Sequence, residues 1–285
     1  MMGQTGKTYE EEVEEYSTIF TQSEEEEWLK RRDVLNSLKI SLPDVYKMSN
    51  FIGLCEVITP GVIDCIKSER TQLCIIAMEY AVELSHYLKF EFDPLASLYL
   101  PVVLKNCGRT NKIIRTKAHD SLIKMLTSSG PTSWFTTLLE EKASENKDIR
   151  FAVIKALQCI INLYEPKLDE NASIVEDSIS SGISDASPEV RDVAFDTYCS
   201  YFAKKSSKEQ TFREALDPIT LKTLEKLQAR KSATTTVKSD KRPSIASLKK
   251  QLRAKMQREQ AKESQIEEEI NTGYPSPPTS TKSIL

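Results

Sequence analysis

Four stretches of this sequence carry the same punctuation: polar or charged residues, then an arginine, then an apolar stripe at helical spacing. They are Lys67-Ser68-Glu69-Arg70, Asn111-Lys112-Ile113-Ile114-Arg115, Asn146-Lys147-Asp148-Ile149-Arg150 and Ser187-Pro188-Glu189-Val190-Arg191. The arginines recur roughly every 35 to 45 residues, the period of a repeat built from two helices and a turn. One such hairpin cannot bury its apolar face alone, so neighbours must stack. In a stacked array the recurring loops line one edge. A ridge of that kind suits the docking of another protein better than catalysis.

The apolar pattern agrees with helices throughout. After Arg150, Val153, Ala156, Leu157, Ile160 and Leu163 follow three-and-four spacing. Leu73, Ile76, Ala77, Tyr80, Ala81 and Leu84 do so after Arg70, and Val193, Ala194, Tyr198 and Tyr201 after Arg191. No strand-type alternation is sustained, and glycine is scarce at 8 residues in 285. The expected fold is all-α: a HEAT-repeat solenoid of about six helical hairpins over residues 8–229. Prolines are expected between helices, with Pro43 and Pro60 opening new ones. Asp93-Pro94, Ser187-Pro188 and Asp217-Pro218 read as helix starts.

Beyond residue 229 the composition changes. Residues 230–246 read as a basic Ser/Thr-rich linker that ends a helix at Ala229. Residues 247–270 read as a charged helix through which copies could associate. Residues 271–285, with Tyr274-Pro275-Ser276-Pro277-Pro278, read as a disordered tail. The formal net charge of −3 hides a segregation. Glu10, Glu11, Glu12, Glu14, Glu15 and Glu24 to Glu27 make the start acidic. From Arg230 to Arg258, ten lysines and arginines face only Asp240 and, just beyond, Glu259. Such an arm attracts polyanions. No aromatic residue is interleaved with its cations, which argues against stacking on nucleic-acid bases.

The inventory speaks against enzyme chemistry. His86 and His119 stand alone on helical stretches, and Gly3-Gln4-Thr5-Gly6-Lys7-Thr8 has the wrong spacing for a phosphate-binding loop. The six cysteines form no Cys-x-x-Cys pair and read as reduced, mostly buried thiols, with no metal or other cofactor expected. With no signal peptide and no apolar run of about 18 residues, a cytosolic or nuclear protein with no membrane partner is expected.

The order of these motifs resembles the TOG domain, in particular the CLASP-type TOG domain of microtubule-associated proteins. The likeness runs from about Tyr9 to Gln228. It takes in Trp28-Leu29-Lys30-Arg31 after an acidic helix, Ser68-Glu69-Arg70-Thr71-Gln72, Phe92-Asp93-Pro94, and Leu100-Pro101 with Asn111-Lys112-Ile113. It ends in Ser184-Asp185-Ala186-Ser187-Pro188-Glu189-Val190-Arg191, Thr197-Tyr198 and Leu216-Asp217-Pro218. The chain departs from the family pattern at Glu69, where an apolar residue is common. The resemblance implies a paddle of six HEAT repeats whose intra-repeat loops bind the αβ-tubulin dimer. Trp28 would pack on tubulin, with Lys30 and Arg31 beside it. Arg70, Asn111, Lys112, Lys147, Arg150 and Arg191 would continue the edge. For Arg115, Arg150 and Arg191, a bond to a neighbouring repeat is an equal alternative.

The resemblance also implies a location on microtubules or the mitotic spindle and a role in their dynamics. Lys238, Lys241, Arg242, Lys249, Lys250 and Arg253 would then contact acidic tubulin tails on the lattice. Ser244 and Ser276 fit basophilic and proline-directed kinase patterns, and a phosphate in the arm would cancel part of its charge. The competing expectation is an adaptor that scaffolds a different complex on its concave helical face.

Overall fold

The computed structural model describes residues 8–21, 27–130, 135–164 and 169–239. The described residues are helical with short turns. The helices are α1 Tyr9–Thr21, α2 Trp28–Val45, α3 Phe51–Lys67, α4 Thr71–Leu88, α5 Asp93–Asn106 and α6 Lys112–Ser129. They continue with α7 Phe135–Glu140, α8 Lys147–Leu163, α9 Ala172–Ile183, α10 Pro188–Lys204, α11 Glu209–Ala215 and α12 Pro218–Ser239. Two units divide after Gln228.

Within the first unit the helices pair as antiparallel hairpins: α1 with α2, α3 with α4, α5 with α6, α7 with α8 and α9 with α10. The second helices stack in the order α2, α4, α6, α8, α10, while α1, α3 and α5 form the other layer. The core lies between the layers. Its largest fully buried side chains include Tyr80, Tyr99, Tyr201, Phe51 and Phe92. α11 and α12 follow, with Phe212 of α11 against Tyr198 and Phe202 and Arg213 of α11 3.7 Å from Glu225 of α12.

Three expectations change. Pro43 lies inside α2 and Pro60 inside α3, where new helices were expected. Proline costs a helix interior about 3 kcal/mol. Around Pro60, α3 buries Phe51, Cys55, Ile58, Val62, Cys65 and Ile66, enough apolar surface to carry that cost while the proline itself faces out. The third change is at the end of the array. α12 runs to Ser239, so residues 230–239 are helix rather than linker. No glycine or proline stands between Pro218 and Pro243 to stop it. The residues assigned to 240–246, 247–270 and 271–285 lie outside the described residues.

Helix contacts are close where side chains vanish. A Cβ on Gly182 of α9 would come within 2.7 Å of the Ala194 Cβ on α10 and 3.2 Å of Ile154 on α8. Three helices meet there, so overpacking cannot be relieved by one rotamer. Gly182→Val is expected to lower stability by about 2 to 3 kcal/mol, read from the urea midpoint.

The thiols behave as expected in four of six cases. Cys55, Cys65, Cys74 and Cys107 are buried, and burial pushes Cys74 up to about 11, so it stays protonated. Cys159 is half-buried and Cys199 exposed.

Candidate functional site

The turns inside the hairpins all precede the start of a second helix, so stacking brings these helix starts to one edge. The first helical residues are Trp28, Thr71, Lys112, Lys147 and Pro188. Trp28, Lys112 and Lys147 therefore share one register position on stacked helices. Lys112 and Lys147 are exposed. Trp28 is half-buried and packs on the core. Its ring lies 5.2 Å from the Arg70 guanidinium and 5.8 Å from that of Arg32, both within cation–π range.

Three of the loops are closed by an arginine of the helix that follows them. At the fourth helical position, Arg115 donates from Nη1 to the Arg109 carbonyl, six residues back, at 3.1 Å. Arg150 donates to the Ser144 carbonyl, again six back, at 2.8 Å and to Glu145 at 3.0 Å. Arg191 donates to the Asp185 carbonyl at the same offset, at 2.6 Å, and to Ala186 at 2.8 Å. A planar guanidinium is suited to this because it offers several donors in fixed directions. Arg31 occupies the same fourth position in α2 and is half-buried. Arg70 does not belong to this series. It precedes α4 at the N-cap position, exposed, and covers Trp28. The four arginines that look equivalent in sequence thus do two different things.

A second set of bonds ties these loops to neighbouring repeats. Asn111 caps α6, accepting from the amides of Ile113 and Ile114 at 3.0 and 3.3 Å, and its Nδ2 donates to Thr71 Oγ1 at 3.0 Å. Asn146 caps α8 through the Asp148 amide at 2.9 Å and donates to the Gly108 carbonyl at 2.9 Å. Gly108 must be glycine for this approach, because a Cβ would lie 2.7 Å from Asn146 Nδ2. Arg150 grips the Asp185 carboxylate with two bonds of 2.6 and 3.0 Å, and the side chains are only 17% and 8% exposed.

Asp185 also accepts from the Ser187 amide at 2.7 Å. Burial raises its pKa, but the bonds from Arg150 and the Ser187 amide and the charge of Arg191 hold it below the usual aspartate value. The sign follows. A depressed carboxyl stabilises the fold above its unfolded pKa of about 3.9, and loses that contribution as pH falls through the lower folded value. Asp185→Asn is therefore expected to be destabilised at pH 7. The gap to the parent chain closes as denaturation is followed below about pH 4.

The other expected contacts fall as follows. Lys30 is exposed and pairs with Glu27 at 2.6 Å. Asn111, Arg150 and Arg191 stand on the edge but are engaged within it. Lys238 lies in α12, whereas Lys241, Arg242, Ser244, Lys249, Lys250, Arg253 and Ser276 lie outside the described residues. Glu69, the departure from the family pattern, is 91% exposed and sits 3.5 Å from Arg109. Sequence reasoning missed Leu29, Ile113 and Ile219. Each is the second residue of its helix and is 43%, 63% and 78% exposed. Their signal was available: an apolar residue one step past a helix start on the loop edge has no hairpin core beneath it. His119 is half-buried edge-to-face on Phe151 at 5.7 Å, and burial lowers its pKa.

Stacked helical hairpins, with exposed lysines and apolar side chains at the starts of the second helices along one edge, define a HEAT-repeat domain of the TOG fold. The TOG domain of Caenorhabditis elegans Zyg9 is similar at a TM-score of 0.62 and 16% identity, covering 75% of this chain and 80% of that one. So is a structure of tubulin recruitment and assembly by microtubule polymerases with tumor overexpressed gene (TOG) domain arrays. Its TM-score is 0.61 at 15% identity, over 75% of this chain and 45% of that one. Residues 9–225 match the family described as CLASP N terminal, and the chain belongs to that family. Protein peg1 of Schizosaccharomyces pombe is 25% identical over 210 residues, which are 70% of this chain and 14% of peg1. The chain thus spans about a seventh of that relative's length.

Proposed function

We propose that this chain binds tubulin and regulates microtubule dynamics, docking αβ-tubulin on its loop edge. The observation that carries the reading is the shared register of Trp28, Lys112 and Lys147, with Leu29 and Ile113 exposed beside them. An aromatic anchor, apolar neighbours and cations are the composition of a binding hot spot for an acidic protein surface. Family membership and the tubulin-recruiting neighbour support the choice of partner. Arg70 joins the contact surface, while Asn111, Arg150 and Arg191 hold the loops that present it. Lys30 and Arg31 flank Trp28.

The basic stretch containing Lys238, Lys241, Arg242, Lys249, Lys250 and Arg253 adds a second, salt-sensitive attraction to acidic tubulin tails on the lattice. Phosphate on Ser244 or Ser276 would weaken it. Self-association through 247–270 would give one assembly two docking edges. The protein then works on the microtubule cytoskeleton as a binding protein rather than an enzyme.

The test uses the full chain in two assays: gel filtration with free αβ-tubulin and co-sedimentation with stabilised microtubules. Trp28→Ala with Lys112→Ala and Lys147→Ala should abolish co-elution with free tubulin. Glutamines at Lys241, Arg242, Lys249, Lys250 and Arg253 should weaken pelleting and leave co-elution intact. A parent chain that neither co-elutes nor pellets at low salt would sink the reading.

A further inference from the structure

The second repeat lacks the arginine that closes the loops of the third, fourth and fifth. The fourth residue of α4 is Cys74, and its thiol donates to the Ile66 carbonyl at 3.0 Å. Six residues before Cys74 is Ser68, whose carbonyl holds the place that Arg109, Ser144 and Asp185 hold for their arginines. That carbonyl is not left open. Arg109, from the next repeat, donates to it from Nη1 at 2.7 Å and to the Lys67 carbonyl from Nη2. The Arg109 side chain is only 19% exposed and also lies 3.5 Å from the Glu69 carboxylate. The loop that carries Arg109 is itself fixed, by Arg115 on the Arg109 carbonyl and Asn146 on that of Gly108.

The loop that Arg109 closes ends in Arg70, whose guanidinium covers the Trp28 ring. Three consecutive repeats are thereby linked: Arg109 holds the loop of Lys67 and Ser68, that loop places Arg70, and Arg70 covers Trp28. We propose that Arg109 is a positioning residue for the Trp28 contact. It replaces from the neighbouring repeat the loop-closing arginine that the second repeat lacks, and so sets Arg70 over the ring. In its functional consequence the inference rests on the tubulin reading; in its structural consequence it does not. Glu69 gains a role as well. Its carboxylate helps hold the Arg109 guanidinium, which accounts for an acidic residue at a position facing an acidic partner.

The experiment has one arm without tubulin and one with it. The full chain is labelled with 5-fluorotryptophan, and the two fluorine resonances, from Trp28 and Trp134, are assigned with Trp28→Phe. Arg109→Ala should move the Trp28 resonance and leave the other in place. Arg109→Lys, which keeps one carbonyl bond, should move it less. In αβ-tubulin titrations, Arg109→Ala and Arg70→Ala should each weaken binding about tenfold. The double variant should be no more than about twofold weaker than Arg70→Ala, because both act through one contact. A Trp28 resonance unmoved in both Arg109 variants overturns the inference, as do losses that multiply to about a hundredfold. If Arg109→Ala unfolds, Arg109→Lys decides by the same two readouts. If the parent chain does not bind tubulin, the tubulin reading fails, and the fluorine shift alone still decides the coupling.

Discussion

Arg150→Ala is expected to lower the unfolding free energy by about 3 kcal/mol, the largest loss from any single edge substitution. The guanidinium satisfies four acceptors: both oxygens of Asp185 and the carbonyls of Ser144 and Glu145. Truncation leaves the Asp185 carboxylate, 8% exposed, without its bonded cation and with only the Ser187 amide and the charge of Arg191 beside it, so a largely desolvated charge loses its main partner. For a repeat unit of this size the melting midpoint should fall by roughly 6 to 12 °C. Circular dichroism on heating reads it directly. A fall of under 2 °C would mean that solvent already screens the pair. Arg150→Lys should recover only part of the loss, since one ammonium cannot grip a carboxylate with two bonds and reach two carbonyls.

The second large effect lies on binding and not on folding. Lys112→Glu with Lys147→Glu is expected to weaken αβ-tubulin binding about a hundredfold, roughly 2.7 kcal/mol, with no change in the melting midpoint. Both side chains are exposed at the first position of their helices. Reversing them costs packing little, and turns attraction into repulsion at two points on one edge. Because exposed charges are screened, the parent affinity should fall as salt is raised, and the variant's should fall less. Unaltered affinity in the variant would place the contact elsewhere on the molecule. A lowered melting midpoint would mean that the lysines serve the fold.

The contrast between these substitutions shows what was legible in the sequence. Apolar spacing after Arg70, Arg150 and Arg191 reveals the helices because burial itself imposes the period. It fails at Pro43 and Pro60, where a local rule about proline loses to the core contacts of a whole helix. The edge was legible in outline: Trp28, Lys112 and Lys147 fall at recurring helix starts. Arg70 was misplaced in the series because only the helix start separates an N-cap residue from a fourth helical one. Arg109 was not legible. Its acceptors are the backbone carbonyls of Lys67 and Ser68, and a carbonyl leaves no mark on residue type. What could have pointed to it is an absence, the cysteine at 74 where the period calls for arginine.

The most direct measurement is a calorimetric titration of the full chain with αβ-tubulin at two salt concentrations. It would compare the parent, the Lys112→Glu and Lys147→Glu double variant, and Leu98→Glu as a control on the exposed face of α5. The account predicts saturable, salt-sensitive binding by the parent, the same affinity for Leu98→Glu, and about a hundredfold loss in the double variant. Equal affinity in the double variant with loss in Leu98→Glu would contradict it, and would move the docking surface from the loop edge to a helical face.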